Sequence, residues 1–428
     1  MGGVVEALGS MVGRENVYWI GEHKSADLDI FDLFYFRFKD SFRNHGFENL
    51  QIPRDLYQFC YRDYDLFAEM YSRNHRFNEY ELHDLRDAFN LYLDFFYKLY
   101  TAFGFNQVIL ANLPHEGPEF ILYKLAQFYQ LKTILNYQSL FPNKFFCVSS
   151  IGDFGTFETS PNSKDSYRVS VNKEMDFKPF YMSDAQAYEN RKKQFRISSL
   201  KTFKENRRAA VLSYFRYRAY YKRLDESIDG RLEDLPRQKF LYFPLHLQPE
   251  LTTSTLGHEY FDQLLALERL SQLIPSDMKI YVKENPKQTY YNRGPLFFKR
   301  LKRIKNVVMV HPDTSTHELI NQSSGVATIS GTAGWEGLLR GKKVIAFGNP
   351  WYLSLSGVLS FSKLKSFSEF EECRFDVDSL QRTLDSLSLK LSDGVIDYLY
   401  KSLIPDYDHA KNCRQVATFF VQQLEQNS

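Results

Sequence analysis

Short apolar segments alternate with longer amphipathic segments along most of the chain. In the first half, residues 16–20, 107–111 and 132–136 have the pattern of buried strands, and 119–129 has that of an amphipathic helix. Strands that alternate with helices are typical of a parallel sheet covered by helices. We therefore predict an α/β domain in this half.

The same alternation restarts in the second half and is more regular there. The predicted strands are 239–243, 279–282, 307–310, 325–329 and 344–347, and the helices between them include 260–273 and 296–302. This order predicts a doubly wound domain of its own. Residues 395–426 have the pattern of a terminal helix.

A turn of small residues follows the predicted strand 325–329. It reads Ser-Gly-Thr-Ala-Gly over 330–334, and a helix is predicted from about 335 to 340. Strand, glycine turn, helix and strand make a βαβ unit, in which backbone N–H groups at the helix N-terminus can bind a phosphate. A turn in which glycine only permits close packing would have the same sequence.

Each residue type in this unit has a predicted role. The phosphate is expected on Ser330, Gly331, Thr332 and Gly334, and Glu336, expected in the first turn of the helix, would accept hydrogen bonds from ribose hydroxyls. The segment therefore predicts the nucleotide side of an enzyme with a nucleotide-activated substrate.

Polar residues also follow other predicted strands, where ligands bind in open α/β sheets. After 107–111 come His115 and Glu116, which could supply a general base; alternatively, Glu116 only starts the next helix. In the second half the residues at strand ends are Gln248, Glu250, Lys283 and Lys287. Such groups, converging with helix N–H groups, would bind a nucleotide phosphate and stabilise it as a leaving group.

Length, charge and cysteine spacing restrict the number of domains and the class of partner. A chain of 428 residues predicts two domains, and 54 basic against 52 acidic residues exclude a polyelectrolyte partner for nucleic acid. The four cysteines lack the spacing of a zinc site or a disulfide framework, and no signal sequence or long apolar window occurs. We expect a cytoplasmic protein, or one peripheral at the inner face of the membrane.

Residues 191–223 differ in composition from the rest of the chain. They contain twelve basic residues and one acid, with tyrosines interleaved in the later part. Such a helix could bind an anionic membrane surface or a phosphate-bearing acceptor. Alternatively, it is a connecting helix whose aromatic side chains pack on a domain.

Several Asp-x-Asp pairs have the spacing of metal-dependent glycosyltransferases, but none follows a predicted sheet strand, and we interpret them as surface acids. No metal site is predicted. The pairs are Asp27 and Asp29, Asp63 and Asp65, Asp376 and Asp378, and Asp406 and Asp408.

Five motifs occur in order between about residues 105 and 350. They are Asn-Leu-Pro-His-Glu-Gly (112–117), Gln-Ser-Leu-Phe-Pro-Asn (138–143), Phe-Pro-Leu-His-Leu-Gln-Pro-Glu (243–250), Val-Lys-Glu-Asn-Pro-Lys-Gln (282–288) and Ser-Gly-Thr-Ala-Gly-Trp-Glu-Gly-Leu-Leu-Arg-Gly-Lys (330–342). Together they resemble the bacterial capsule polysaccharide biosynthesis family, which is similar to transferases that add Kdo and related acidic sugars from CMP-linked donors.

The resemblance implies a GT-B fold, with two Rossmann-like domains facing across a cleft, the donor nucleotide on the C-terminal one, the acceptor on the N-terminal one, and no metal. Related transferases often have His-Pro where this chain has Asn285-Pro286, and that His is expected to touch the donor phosphate. Asn285 can donate a hydrogen bond there but carries no charge. His311-Pro312 is a second candidate pair, which fits the pattern less well.

The sequence thus predicts an α/β, GT-B-like glycosyltransferase of surface polysaccharide assembly. Its donor would be a nucleotide sugar, CMP-linked, its acceptor a glycan or lipid-linked glycan, and it would need no cofactor. Glu116 is the predicted base, with His115 beside it. The alternatives are a CDP-polyol phosphotransferase, a sugar-nucleotide epimerase, and a non-catalytic glycan-binding protein of this fold.

The predicted domains follow from these elements. They are an N-terminal acceptor-side domain (1–185), a basic aromatic helical linker (186–235), a C-terminal nucleotide-binding domain (236–390) and C-terminal helices that cross back to the first domain (391–428).

Overall fold

The computed structural model describes residues 1–36, 50–72, 82–157, 207–290 and 292–425. The chain forms two compact units. Unit 1 comprises Met1–Phe154 and Leu387–Ser428, and unit 2 comprises Gly155–Ser386. The predicted linker 186–235 lies within unit 2, and its residues before 207 are outside the described ranges.

The α-helices in the described ranges are, in chain order, α1 (Gly2–Val12), α2 (Ile30–Phe34), α3 (Arg54–Tyr61), α4 (Tyr64–Tyr71), α5 (Leu82–Phe103), α6 (Gly117–Phe128), α7 (Arg207–Asp225), α8 (Leu251–Ser254), α9 (Gln263–Leu273), α10 (Pro295–Leu301), α11 (Thr316–Gln322), α12 (Thr332–Leu339), α13 (Phe367–Glu372), α14 (Val377–Ser388) and α15 (His409–Glu425).

The strands are β1 (Gln107–Leu110), β2 (Lys132–Gln138), β3 (Lys144–Val148), β4 (Phe240–Pro244), β5 (Lys279–Lys283), β6 (Val307–Val310), β7 (Gly325–Thr328), β8 (Val344–Ala346), β9 (Val358–Ser360) and β10 (Ser392–Asp393).

Unit 1 contains a four-stranded sheet in the order β1-β2-β3-β10. Only β1 and β2 pair in parallel; β3 is antiparallel to both of its neighbours, so the predicted parallel sheet is only partly parallel. The reason is the short connection after β2, where Asn143 adopts a φ of 56° and returns the chain as a hairpin. A parallel neighbour would need a longer crossover.

Residues 16–20 do not form the predicted strand. The backbone N–H of Trp19 donates to the Asp27 carboxylate at 2.7 Å, its carbonyl accepts from the N–H groups of Asp27 and Leu28, and Ile20 forms an isolated bridge to Leu28. These partners replace a neighbouring strand, so the segment forms a loop.

The high aromatic content of the chain is explained by its cores. In unit 1, Phe67, Tyr71, Phe89 and Tyr92 are fully buried and lie edge to face or stacked on one another. These side chains come from α4 and α5, which pack on each other and on α6, the helix that contacts β1 and β2. Aromatic pairs of this kind add to the free energy gained from burial.

The C-terminal helix belongs to unit 1. In α15, Val416, Ala417 and Phe420 are buried in one cluster with Val4 and Leu8 of α1. The two ends of the chain therefore pack together.

Unit 2 contains a six-stranded sheet in the order β6-β5-β4-β7-β8-β9, and every pair is parallel. From β4 the chain moves outward to β5 and β6, then returns to place β7 on the other side of β4. The predicted doubly wound domain is thus confirmed, as is the α/β class. The predicted facing of two domains across a cleft stays a prediction.

Candidate functional site

The strand order of unit 2 places its topological switch point between β4 and β7. The loops after these two strands leave in opposite directions, which opens a crevice at the carboxyl ends of the strands. Residues 245–250 and 329–331 form its two sides. Ligands of doubly wound sheets bind at this position.

The helix that borders the crevice begins earlier than predicted. Gly331 is the N-cap of α12, which starts at Thr332 and not at 335, so Glu336 lies in the second turn and not in the first. The first N–H groups of a helix have no acceptor within the helix, which makes those of Thr332 and Ala333 the candidate phosphate donors.

Two of the predicted phosphate-binding residues have structural partners. The Ser330 hydroxyl donates to the Thr252 carbonyl at 2.6 Å and ties the turn to the loop after β4. A Cβ on Gly334 would lie 2.2 Å from the Tyr352 hydroxyl oxygen, so only glycine fits there. Both residues give the turn its shape, and their contact with a phosphate stays a prediction.

Glu336, in the second turn of α12, is buried near Lys283, the last residue of β5. Burial raises the pKa of Glu336 to about 7, against the opposing effects of Arg340 and Lys283. Burial also lowers the pKa of Lys283 to about 8, which Glu336 and Asp313 partly oppose. At neutral pH the carboxyl is therefore partly protonated and can both donate and accept a hydrogen bond.

The ammonium group of Lys283 is bound by the loop after β6. Its Nζ donates to the Thr314 carbonyl at 3.0 Å and to the Thr316 hydroxyl at 2.6 Å. Lys283 thus links two neighbouring strand ends.

Gln248 is the centre of a buried polar network. Its Oε1 accepts from Gln263 Nε2 and from Arg293, both at 2.9 Å, and its Nε2 donates to the Phe261 carbonyl at 2.6 Å. The peptide bond from Gln248 to Pro249 is cis. The Gln248 amide therefore fixes the loop after β4, and its predicted contact with the donor stays a prediction.

Arg293 joins the loops after β4 and β5. The guanidinium is 1% exposed and pairs with Glu284 at 2.8 Å, while it also donates to the His246 carbonyl at 3.2 Å. Since a buried charge is costly unless it is paired and hydrogen-bonded, this saturated arrangement holds the two loops in one geometry.

The other predicted donor residues shape turns. Glu250 is the N-cap of α8 and forms a capping box with Thr253. Asn285 Oδ1 accepts the Lys287 N–H at 2.9 Å, an Asx turn that starts the loop after β5. Where related transferases are expected to have His, this chain has a turn-forming side chain.

In unit 1, His115 and Glu116 lie directly before α6. His115 Nδ1 lies 3.0 Å from the Leu113 carbonyl, which can only accept, so Nδ1–H is the donor of this hydrogen bond. Nε2 lies 4.0 Å from Glu116 Oε1 and Nδ1 lies 3.6 Å from Glu119 Oε2. Glu116 is the N-cap residue of α6, but its side chain makes no capping hydrogen bond.

Helix α7 contains the part of the basic segment that the structure describes. Tyr220 and Tyr221 are buried in the core of unit 2, and Tyr217 packs on Tyr290 with ring centroids 4.9 Å apart. Phe215, on the opposite side of the helix, is 58% exposed. Among the side chains of that helix that the structure describes, the exposed cations are Arg216, Arg218 and Lys222, and Lys222 Nζ lies 3.8 Å from Glu226 Oε1.

Two further findings concern the described ranges as a whole. Among those residues, no group of three or more His, Cys, Asp or Glu side chains could hold a metal ion. None of the helices described is both long enough and apolar enough to cross a bilayer.

Three further residues of this site were not predicted, and only the first of them lies in one of the sequence motifs. They are His246 and Arg293, described above, and Thr328, the last residue of β7, whose hydroxyl lies 3.3 Å from His246 Nε2. His246 lies in the motif from which Gln248 and Glu250 were chosen, and its position two residues past β4 was the available signal. Arg293 is nine residues past Glu284, and no local pattern joins the two.

Unit 2 is thus a doubly wound α/β domain with a polar crevice at its switch point. Residues 180–374 match the model of a family described as capsule polysaccharide biosynthesis protein. This match confirms the predicted family resemblance for that part of the chain, which includes the whole crevice. A sequence search of curated proteins gave no match.

Several solved structures are similar to the chain, with low identity. Thermosulfurimonas dismutans KpsC, beta Kdo 2,7 transferase, is 11% identical, with 79% of this chain and 90% of that chain covered and a TM-score of 0.34. Thermosulfurimonas dismutans KpsC, beta Kdo 2,4 transferase, is 14% identical, with 69% of this chain and 88% of that chain covered and a TM-score of 0.32. UDP-GlcNAc 2-epimerase from Neisseria meningitidis bound to UDP-GlcNAc is 10% identical, with 80% of this chain and 82% of that chain covered and a TM-score of 0.26.

Proposed function

We propose that the protein is a glycosyltransferase of bacterial surface polysaccharide assembly. It transfers a sugar from a nucleotide donor, CMP-linked, to a glycan or glycolipid acceptor. The observation that supports this best is the crevice between β4 and β7, where the start of α12 borders the switch point within the segment that matches the capsule polysaccharide family.

The donor phosphate lies at the N-terminus of α12 in this proposal. The N–H groups of Thr332 and Ala333 and the Thr332 hydroxyl bind it, and the positive end of the helix dipole stabilises the negative charge of the departing nucleotide. Glu336 is the proposed ribose partner. Its raised pKa supports this role, because a partly protonated carboxyl can donate as well as accept.

Glu116 acts as the base in the proposed reaction. An acceptor hydroxyl oxygen bonds to the anomeric carbon of the donor, the bond from that carbon to the phosphate oxygen breaks, and the nucleotide leaves with the electron pair. The hydroxyl proton passes to Glu116. The carboxylate directly precedes α6, and its Oε1 lies 4.0 Å from His115 Nε2.

Association with an anionic membrane surface through 191–223 is part of the same proposal. The exposed side of α7 supports it, since Phe215 is flanked there by Arg216, Arg218 and Lys222. An exposed apolar side chain among cations is the pattern of a helix that lies in a lipid interface. Such a location would bring the enzyme to a lipid-linked acceptor.

A thermal-shift comparison of CMP, CDP, UDP and GDP without metal tests the donor site. We expect CMP to stabilise the protein, by about 2.7 kcal/mol at a hundred times its dissociation constant. Stabilisation that requires Mg²⁺ or Mn²⁺ would contradict the metal-independent site. Stabilisation by none of the four nucleotides would contradict the proposed function itself, and nucleotide binding without turnover would favour the non-catalytic alternative.

Replacing Glu116 by Gln tests the chemistry. We expect turnover to fall by about 10²–10⁴-fold while CMP affinity is unchanged. The reason is that a base on the acceptor-side domain acts in the transition state and does not bind the donor. Glu119→Gln is the matched control: it removes the other carboxylate near His115, and most of the turnover should remain. An equal loss of donor binding in Glu116→Gln would contradict its assignment as base.

A further inference from the structure

His246 lies at the switch point, between the loop after β4 and the glycine turn after β7. The residue is 8% exposed, and burial lowers the pKa of its imidazole to about 4, with Arg293 contributing. The ring is therefore neutral at physiological pH. One of its ring nitrogens is available as an acceptor, which a protonated ring would not offer.

Thr328 Oγ1 links the glycine turn to His246. It accepts the Gly331 N–H at 3.2 Å and lies 3.3 Å from His246 Nε2, a contact in which the hydroxyl or the imidazole is the donor according to the tautomer. A continuous relay thus runs from the Gly331 amide through Thr328 to His246.

The same ring also packs directly against the turn. A Cβ built on Gly331 would lie 2.6 Å from His246 Nε2, closer than real contacts allow. Since an imidazole is rigid, a side chain at 331 would move either the ring or the start of α12. Gly331 and His246 therefore fit each other in shape as well as through the relay.

We infer that His246 is a positioning residue for the donor phosphate, which acts through Thr328 and Gly331 on the first turn of α12. The relay occupies the Gly331 N–H and leaves the next two N–H groups, those of Thr332 and Ala333, for the ligand. The inference rests on the proposed nucleotide site, and it adds residues that do not touch the ligand themselves.

The relay can be tested without ligand by hydrogen exchange of the Gly331 amide. We expect this amide to exchange faster in Thr328→Val, which removes the acceptor but keeps the shape, and to stay protected in Thr328→Ser, which keeps the hydroxyl. Unchanged exchange in Thr328→Val would overturn the relay, whatever the outcome with nucleotides.

CMP titrations of the same variants test the effect on the phosphate. His246→Phe keeps a ring of similar size but removes the ring nitrogen that lies within hydrogen-bond distance of Thr328. We expect it and Thr328→Val each to weaken CMP binding by about three- to tenfold, the scale of one hydrogen bond, and the double variant to be no weaker than either alone. Thr328→Ser should restore most of the affinity. Additive losses, or no loss in either variant, would overturn the inference.

The packing contact has its own test. Gly331→Ala should weaken CMP binding in the wild-type background and add no further loss in His246→Ala, because the small side chain leaves room for the new methyl group. A further loss in that background would contradict the contact. Wild-type protein that binds none of the nucleotides would refute the proposed function and this inference together, while a wild type that binds CMP and variants that bind equally well would refute only the inference.

Discussion

At the residue scale, the side chains at the strand ends of unit 2 are held by partners from other strands and loops. Gln248 and His246 lie in one motif, and only the fold shows that the first is saturated by protein partners while the second lies against the glycine turn. At Gly331 the sequence indicates a turn. The reason that the residue is glycine is the imidazole of His246, which approaches from the loop after β4. Partners distant in sequence leave no local pattern.

The buried Glu336 carboxyl should make stability depend on pH. Its pKa is about 7 in the folded protein and 4.5 ordinarily, so between these values the folded state holds a proton that the unfolded state lacks. Raising the pH through this window therefore removes stability. Relative to Glu336→Gln, the wild type should lose up to about 3 kcal/mol between pH 4.5 and 8.

Urea unfolding of the two proteins at several pH values measures this difference. Glu318→Gln, at an exposed glutamate of α11, is the matched control and should follow the wild type. A constant difference between the wild type and Glu336→Gln across the window would show that the carboxyl is ionised throughout.

At the element scale, periodicity found the strands of unit 2 well and the ends of its helices less well. Strands β4, β5, β7 and β8 are buried along most of their length and read as continuous apolar runs, which is why they were predicted within a few residues, as was β6. Strand β9 is half-buried throughout and was not predicted. Helix α12 was predicted to begin after Gly334, because its first residues are small and glycine usually ends a helix. The close approach of Tyr352 makes glycine fit inside it.

Charge reversal on helix α7 tests the proposed association with an anionic membrane surface. Changing Arg216, Arg218 and Lys222 to Glu should weaken binding to anionic vesicles, since each cation near such a surface contributes about 1 kcal/mol. Activity on a short soluble acceptor should remain. Co-sedimentation with vesicles at low and high salt measures the effect.

The control for this experiment carries the same change in charge elsewhere on unit 2, at the exposed residues Lys363, Lys365 and Arg374. It should bind vesicles like the wild type. Equal losses in both variants would indicate a general effect of net charge, and wild-type protein that binds no vesicles would leave α7 a connecting helix packed on unit 2.

At the scale of the whole molecule, unit 1 depends on both ends of the chain. Phe420 of α15 is buried in the cluster that includes Val4 and Leu8 of α1. Phe420→Ala should lower the free energy of unfolding of unit 1 by about 3–5 kcal/mol, the usual cost of such a cavity. Phe103→Ala is the control, because Phe103 is 50% exposed, and it should change stability little.

Denaturant unfolding combined with limited proteolysis measures this effect unit by unit. Cleavage in Phe420→Ala should begin within 1–154 or 387–428 while 207–386 stays protected. Loss of protection in both units at once would show that they unfold as one.

The division of the chain also sets an order of events during synthesis. Unit 2 is encoded between the two parts of unit 1, so the ribosome completes residues 155–386 before it makes α15. Domains fold as units, and usually the N-terminal one folds first as the chain emerges. Unit 1 begins first but lacks α15, which packs on α1, until unit 2 has been made. We therefore expect the reverse order here, with the apolar side of α1 uncovered while unit 2 folds.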